Sequence, residues 1–380
     1  MELVNLSRDY GNFYAPAFKV RLSGADVVRD LLVAVSQVEV DLALNAPSRF
    51  SFTLADCYDH ESGTFKTGRG QDLLGLLAFG AEVEVYMGYG DASTMPLTIL
   101  GLVSEISTSF PETGSPELIV SGYDHGFPLR QGKNSESWKD RSASDVVHLI
   151  ASFHNLNTVI DDTTEKHPQI EQNQMSDWDF LVKLAGRNSE DAKSLRFEVY
   201  VEPDGSAKRP VLHFGKPRMR SAPITTLKWG AGLLSFRPEA NLAGQVAKVE
   251  VYGWDVNRKE PIVGRAAADQ VVGPGARSIA QNVTSLVRAP GKEPTLRIRQ
   301  PVFTQSEADK RAKAALSDMT KKFLTGDGEC IGLPEMRPDR TVLLENLGKA
   351  FSRIYYIEQA THRIDSSGYR TKFKAREATA

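Results

Sequence analysis

The chain has 380 residues, 41% hydrophobic and 25% charged, with 30 Gly and 19 Pro; collagen-like, low-complexity and wholly disordered classes are excluded, and two or three domains are expected. The 46 basic and 48 acidic residues give a formal net charge of -2, which argues against a dedicated nucleic-acid binder. The longest apolar run, Leu73 to Ala81, falls well short of the about 20 residues a bilayer span needs, the N-terminus lacks a basic start followed by an apolar stretch, and two cysteines, Cys57 and Cys330, cannot build a disulfide scaffold; no membrane span is expected and the chain is expected to be made in the cytoplasm.

The first 125 residues read as β. Val33, Val35, Val38, Val40, Leu42 and Leu44 are apolar at mostly alternating positions, a period of two with a slip near Gln37. Phe50, Phe52 and Leu54 alternate likewise after a Pro47-Ser48 turn, and Val83, Val85 and Met87 form another short strand. Leu97 to Ile106 and Leu118 to Ser121 are split by the turn-rich Pro111 to Pro116. Short strands at this spacing predict a small barrel or sandwich.

The period changes near residue 140. Ser142 with Asp145 resembles a capping box, and Val146, Leu149, Ile150 and Phe153 then share a helical face. Ser176-Asp177-Trp178-Asp179 opens a second helix, stopped at Gly186. Asp161 to Gln174 reads as polar loop. Residues 131 to 200 hold 8 basic and 12 acidic side chains, a mildly acidic segment. Strands resume at Arg196 to Val201 and, after Pro203-Asp204-Gly205, at Val211 to Phe214. Lys248 to Val256 alternates again. From Asp255 to Val302 there is no aromatic residue, so much of this stretch reads as an extended arm or long loop, and much of Arg265 to Glu293 is expected to be exposed in the isolated subunit and ordered by a neighbour. Thr304 with Glu307 opens the third helix, with Ala308, Ala312, Ala315, Met319 and Phe323 as its stripe and Gly326 as its stop. Strands at Thr341 to Leu347, Ile354 to Glu358 and Tyr369 to Lys374 close the chain, with Tyr355, Ile357, Ile364 and Phe373 expected to face a core.

Motifs for catalysis and cofactors are missing. There is no G-x-S-x-G, H-E-x-x-H, G-x-x-x-x-G-K-[ST] or C-x-x-C. Asp56, Cys57, Asp59 and His60 have the ingredients of half a metal site, but structural zinc needs four ligands and no second cluster supplies them; the polar exit of a strand is the favoured reading. Tyr123-Asp124-His125 could hold an acid-base pair, yet a strand end entering the Gly126 turn explains it better. Asp161-Asp162 and Asp177/Asp179 are paired carboxylates that a glycosidase could use. The second pair reads better as negative charge at a helix N-terminus. Residues 207 to 228 carry six Lys/Arg and no acid; a solvated hairpin face or an acidic protein partner is favoured over nucleic acid. No catalytic, cofactor-binding or metal-ligating residue is assigned.

With these residues in place, the chain resembles the phage late control D proteins, hub subunits of contractile tails, and the N-terminal half of the VgrG spike proteins of type VI secretion. Four segments carry the resemblance in order: Leu118 to Lys133 (LIVSGYDHGFPLRQGK) with the following helix Ser142 to Leu156, Ser176 to Arg187 (SDWDFLVKLAGR), Val249 to Val256 (VEVYGWDV), and the closing Ile354 to Phe373 with Tyr355-Tyr356, His362 and Tyr369. Each is degenerate alone. The resemblance implies a mainly β fold with α insertions: two β-barrel tube domains plus a helical insertion. On it the chain divides into a first barrel at 1–130, a helical insertion at 131–195, a hairpin-rich segment at 196–245, and a second barrel at 246–380 that contains a long loop at 265–295 and a helix at 305–324. It further implies a non-enzymatic baseplate hub, a homotrimer that adapts a hexameric inner tail tube protein to a trimeric spike, with no cofactor and no nucleic acid as partner. A full VgrG spike continues into a neck and needle that this sequence lacks, so a separate spike protein is expected, with other baseplate subunits and the tape-measure protein as further partners in a phage tail or injection particle. The competing readings are a tail-associated peptidoglycan hydrolase and a receptor- or glycan-binding tail module.

Overall fold

The computed structural model describes residues 15–90, 95–186, 194–201, 208–255, 258–267, 294–299, 302 and 304–378. The fold is mainly β with few helices. The strands of the first region are β1 (Pro16–Leu22), β2 (Ala34–Ala43), β3 (Arg49–Ala55), β4 (Glu82–Tyr89), β5 (Leu97–Ser109) and β6 (Glu117–Asp124). They pair in the spatial order β1-β4-β5-β6-β3-β2. Period-two patterning decides which face turns inward: Val38, Val40 and Leu42 of β2 are buried while Glu39 and Asp41 between them stay partly exposed. The slip near Gln37 is a bulge, because the register with β3 shifts between Val35 and Gln37. Phe50, Phe52, Leu54, Val83, Val85 and Met87 complete this core.

The next strands and helices form a mixed insertion: β7 (Asn134–Ser142), α1 (Ala143–Phe153), β8 (Asn157–Ile160), β9 (Lys166–Met175), α2 (Asp177–Ala185), β10 (Ser194–Val201) and β11 (Lys208–Gly215). Both expected caps form. The Ser142 side chain accepts from the Asp145 amide and Asp145 accepts from the Ser142 amide, while Ser176 accepts from the Asp179 amide. Asp161 to Gln174, expected as loop, is corrected: most of it is β9, paired antiparallel with β7. Ile170 is its only large aliphatic residue before Met175, so no alternation announces the strand; the ladder to β7 makes it one. β11 pairs with both β8 and β10, so the strands after residue 194 extend the insertion. Trp178, Phe180, Leu181, Leu212 and Phe214 pack its separate core.

β12 (Thr226–Trp229) and β13 (Gly232–Ala240) instead enter the second barrel. The expected hairpin-rich segment 196–245 is therefore split between two bodies. Its Pro203-Asp204-Gly205 turn lies outside the described residues. A further layer follows: β14 (Lys248–Asp255), β15 (Glu260–Ala267), β16 (Thr295–Arg299) and helix α3 (Gln305–Thr320). These strands form their own three-stranded sheet in the order β15-β14-β16, and Val249, Val251, Ile262 and Ala266 pack on Ala308, Ala312 and Leu316 of the helix. Of the long loop expected at 265–295, residues 268–293 lie outside the described residues. The Thr304 side chain caps α3 by accepting from the Glu307 amide. The helix ends at Thr320, not at 324 as expected, and Gly326 is its stop no longer: it lies inside β17 (Leu324–Ile331). There a Cβ would sit 2.4 Å from the Phe236 ring, so this glycine serves sheet packing.

β18 (Thr341–Glu345), β19 (Arg353–Asp365) and β20 (Gly368–Glu377) complete the chain. The order β19-β18-β12-β13-β17-β20 returns to β19, which closes a six-stranded barrel. β19 runs well past the expected Glu358. Its first residues pair with β18 and its last, Gln359 to Ile364, pair with β2 of the first sheet. The register of β19 with β20 shifts between Ile357 and Gln359, where the strand passes from one body to the other, and a bulge re-aims side chains at such a point. Tyr355, Ile357 and Phe373 accordingly fill the second core, while Ile364 and Tyr369 fill the first.

Candidate functional site

The structure brings the closing hairpin against the first sheet and the six-stranded barrel in one buried polar seam. His362 is fully buried on β19. Its Nε2 donates to the Met336 carbonyl at 2.9 Å, and its Nδ1 accepts from the hydroxyls of Tyr369 at 2.9 Å and Thr371 at 3.1 Å. The Tyr89 hydroxyl, at the end of β4, donates to the Gly332 carbonyl at 2.7 Å, and its ring lies 5.5 Å from that of Tyr369. Arg337 Nη2 donates to the Leu97 carbonyl at 2.7 Å. Two bonds thus cross from first-sheet positions 89 and 97 to the segment at 332–337. The seam's His362, Tyr89, Tyr369 and Thr371 are buried away from solvent. The seam can hold the first sheet and the barrel in one fixed orientation, since buried polar groups must keep their partners. Tyr89, Gly332 and Arg337 escaped the sequence reading, which carries no local signal for bonds between residues some 240 positions apart.

Burial pushes the His362 imidazole down to about 3, with Arg337 adding to the effect. A histidine lowered in the folded state takes its proton only on unfolding, so stability is lost as pH falls below its ordinary 6.5. Burial of His125 acts in the same direction. Buried Asp124 acts oppositely: burial raises it from 3.8 to about 6 even though it accepts from the Ser48 and Gly126 amides, so the folded form is favoured as pH falls through that window. The His362 shift is the larger. The urea midpoint is therefore expected to fall between pH 7 and pH 4, and to fall less steeply in His362→Gln; equal slopes in both proteins would place the pH dependence elsewhere.

The residues singled out from sequence are scattered. Cys57 is buried in the first core, Asp59 pairs with Lys66, and the His60 ring packs edge-on against Tyr58. Among the described residues no three His, Cys, Asp or Glu side chains are grouped to hold a metal ion. Asp124 joins the turn before β3 to the turn after β6 through the two amides above. Asp161 accepts from the Lys216 amide at 2.8 Å, and Asp162 is exposed. Asp177 is a buried hub that accepts from His154 at 2.7 Å and from Gln172 and Asn134 at 2.8 Å each. Burial alone would raise it, but these donors outweigh burial and hold the carboxyl below its usual range. Asp179 accepts from the Ser176 hydroxyl. The basic run is partly neutralised by the chain itself: Lys208 bonds Glu84 at 2.6 Å, and Lys228 lies 3.2 Å from Glu345. Among the described residues no helix is long and apolar enough to cross a membrane.

A family model described as the Alg8 N-terminal domain matches residues 15–366. No curated protein sequence matches the chain. Among solved structures, the tail protein from Neisseria meningitidis MC58 is similar at 14% identity with a TM-score of 0.65, covering 96% of this chain and 97% of that one. The 43 kDa tail protein of prophage MuSo2 from Shewanella oneidensis is similar at 12% identity with a TM-score of 0.67, covering 96% and 99%. The E. coli c3393 protein, a component of the type VI secretion system with structural similarity to the T4 tail proteins gp27 and gp5, is similar at 10% identity with a TM-score of 0.54, covering 95% and 77%. At these identities the likeness shows a shared fold.

Proposed function

This chain belongs to the family of the Alg8 N-terminal domain, and with the tail-protein fold as second premise we propose that it is a structural hub of a contractile tail or injection system, of the late control D kind. It adapts a hexameric inner tail tube to a trimeric spike and performs no catalysis. The observation that carries this reading is the pair of β bodies locked together through one strand, β19. Three copies closed into a ring would present six barrels to a hexameric tube while keeping threefold symmetry for a separate spike. A closed ring uses heterologous contacts, each subunit giving one surface and receiving another. Permanent interfaces of this kind commonly bury about 2,000–5,000 Å². The near-balanced charge of the chain supports assembly without strong self-repulsion. The inner tube protein, the spike, other baseplate subunits and the tape-measure protein are its partners, and the tail baseplate its place.

Light scattering on purified protein, with and without the spike, is expected to give three times the subunit mass. A stable monomer at micromolar concentration with the spike present would defeat the trimer. A zymogram on purified cell wall is expected to stay blank; a cleared band would return the chain to the hydrolases.

A further inference from the structure

The three-stranded sheet that carries α3 on one face leaves its other face open among the described residues. Lys248, Glu250 and Tyr252 of β14 alternate with the buried Val249 and Val251, so they point away from the helix. The register puts Arg265 of β15 and Arg297 of β16 on either side of Glu250, and Arg299 beside Tyr252. Glu250 is nearly covered, and its bonding partners are donors. Its Oε2 accepts from the Tyr252 hydroxyl at 2.7 Å and from Arg297 Nε at 3.3 Å. Its Oε1 lies 3.4 Å from Lys248 Nζ and 3.7 Å from Arg265 Nε.

One carboxylate thus stands among three cations, with Arg299 further along the same face, on a chain whose formal charge is -2. Both Arg265 and Arg297 turn Nε toward Glu250, and their side chains are 63% and 71% exposed. Trp254, 53% exposed, extends the face. Guanidinium forks held in position beside aromatic surface are suited to carboxylates.

We propose that this face docks an acidic segment of another protein, with carboxylates reaching Arg265 and Arg297 separately. Two strand spacings set the backbones of those arginines about 10 Å apart, a distance that side chains on an extended or looped segment can span. Nucleic acid is the poorer fit, because Glu250 puts a negative charge between the two arginines, under the path of a continuous run of phosphates. Glu250 itself is a positioning residue: it orients the cations and does not touch the partner.

The test uses the full chain and two fluorescent probes of equal charge, a peptide of alternating Glu and Thr and a single-stranded DNA, followed by anisotropy. The peptide is expected to bind more tightly than the DNA and to weaken as salt rises. Arg265→Glu combined with Arg297→Glu is expected to weaken the peptide at least about tenfold, whereas Arg29→Glu, a reversal at an 80% exposed side chain elsewhere, is expected to change it little. An unchanged peptide affinity in the double variant, or an equal loss in Arg29→Glu, would overturn the site. Tighter binding of the DNA than of the peptide would overturn the proposed partner. Circular dichroism of the double variant checks that it stays folded, and Arg265→Gln with Arg297→Gln repeats the measurement should the charge reversals unfold it.

Discussion

Deletion of residues 352–380 is expected to give insoluble protein. The segment is the β19-β20 hairpin, and its loss acts on the first sheet and the barrel at once. Tyr355, Ile357 and Phe373 leave the second core, Ile364 and Tyr369 leave the first, and all five are buried. A fully buried large apolar side chain contributes about 1.5–3 kcal/mol, so their joint loss rivals the whole net stability of a typical domain, about 5–15 kcal/mol. Backbone edges open as well. β2 and β18 each lose their pairing with β19, and β17 loses its pairing with β20. Exposed strand edges beside an uncovered apolar face template aggregation. Solubility after expression and the elution profile of whatever remains soluble are the readout. A soluble, monodisperse, folded truncation would mean that the hairpin is peripheral to both β bodies.

Gly264→Ala is expected to loosen the outer layer, at a cost of about 1–3 kcal/mol or more. Gly264 lies in β15 directly beneath α3. A Cβ there would stand 2.1 Å from the Ala308 carbonyl carbon, 2.2 Å from its oxygen and 2.5 Å from the Asp309 nitrogen. These are main-chain atoms, so no rotamer change relieves the clash and the helix itself must move. It is pinned at that point: Gln305 Nε2 donates to the Val263 carbonyl at 2.8 Å, and Asp309 Oδ1 accepts the Arg265 amide at 3.1 Å. The close approach depends on small residues on both sides, Gly264 below and Ala308 and Ala312 above. Gly186→Ala is the control, since its nearest new contact would be an ordinary 3.7 Å. Hydrogen exchange should show amides of α3 and β15 losing protection in Gly264→Ala and keeping it in Gly186→Ala. Unchanged protection in Gly264→Ala would show that the helix-to-sheet spacing can give way freely.

Local patterns were legible in the sequence alone wherever the physical cause lay within a few residues. Alternation marked β2 and β3 because one face of each is buried, and the interruption at Gln37 announced the bulge. Ser142, Ser176 and Thr304 announced three helix starts because a cap bonds an amide three positions on. The hairpin residues Tyr355, Ile357, Ile364 and Phe373 were assigned inward by period two, and all four are buried. What escaped depends on partners distant in the chain. β9 carries too few apolar residues to alternate and is a strand because β7 lies beside it. Beyond Glu358, β19 continues because β2, more than 300 residues earlier, offers a ladder. Gly326, a helix stop in sequence terms, sits within a sheet because the Phe236 ring needs the space of its missing Cβ. The polar seam of Tyr89, Gly332, Arg337 and His362, and the cations gathered around Glu250, likewise exist only once the sheets are assembled. Short-range chemistry decided where strands and helices begin; tertiary pairing decided which strands close a barrel, which one is shared by both, and which charges come to stand on one face, because only folding brings those residues within bonding distance.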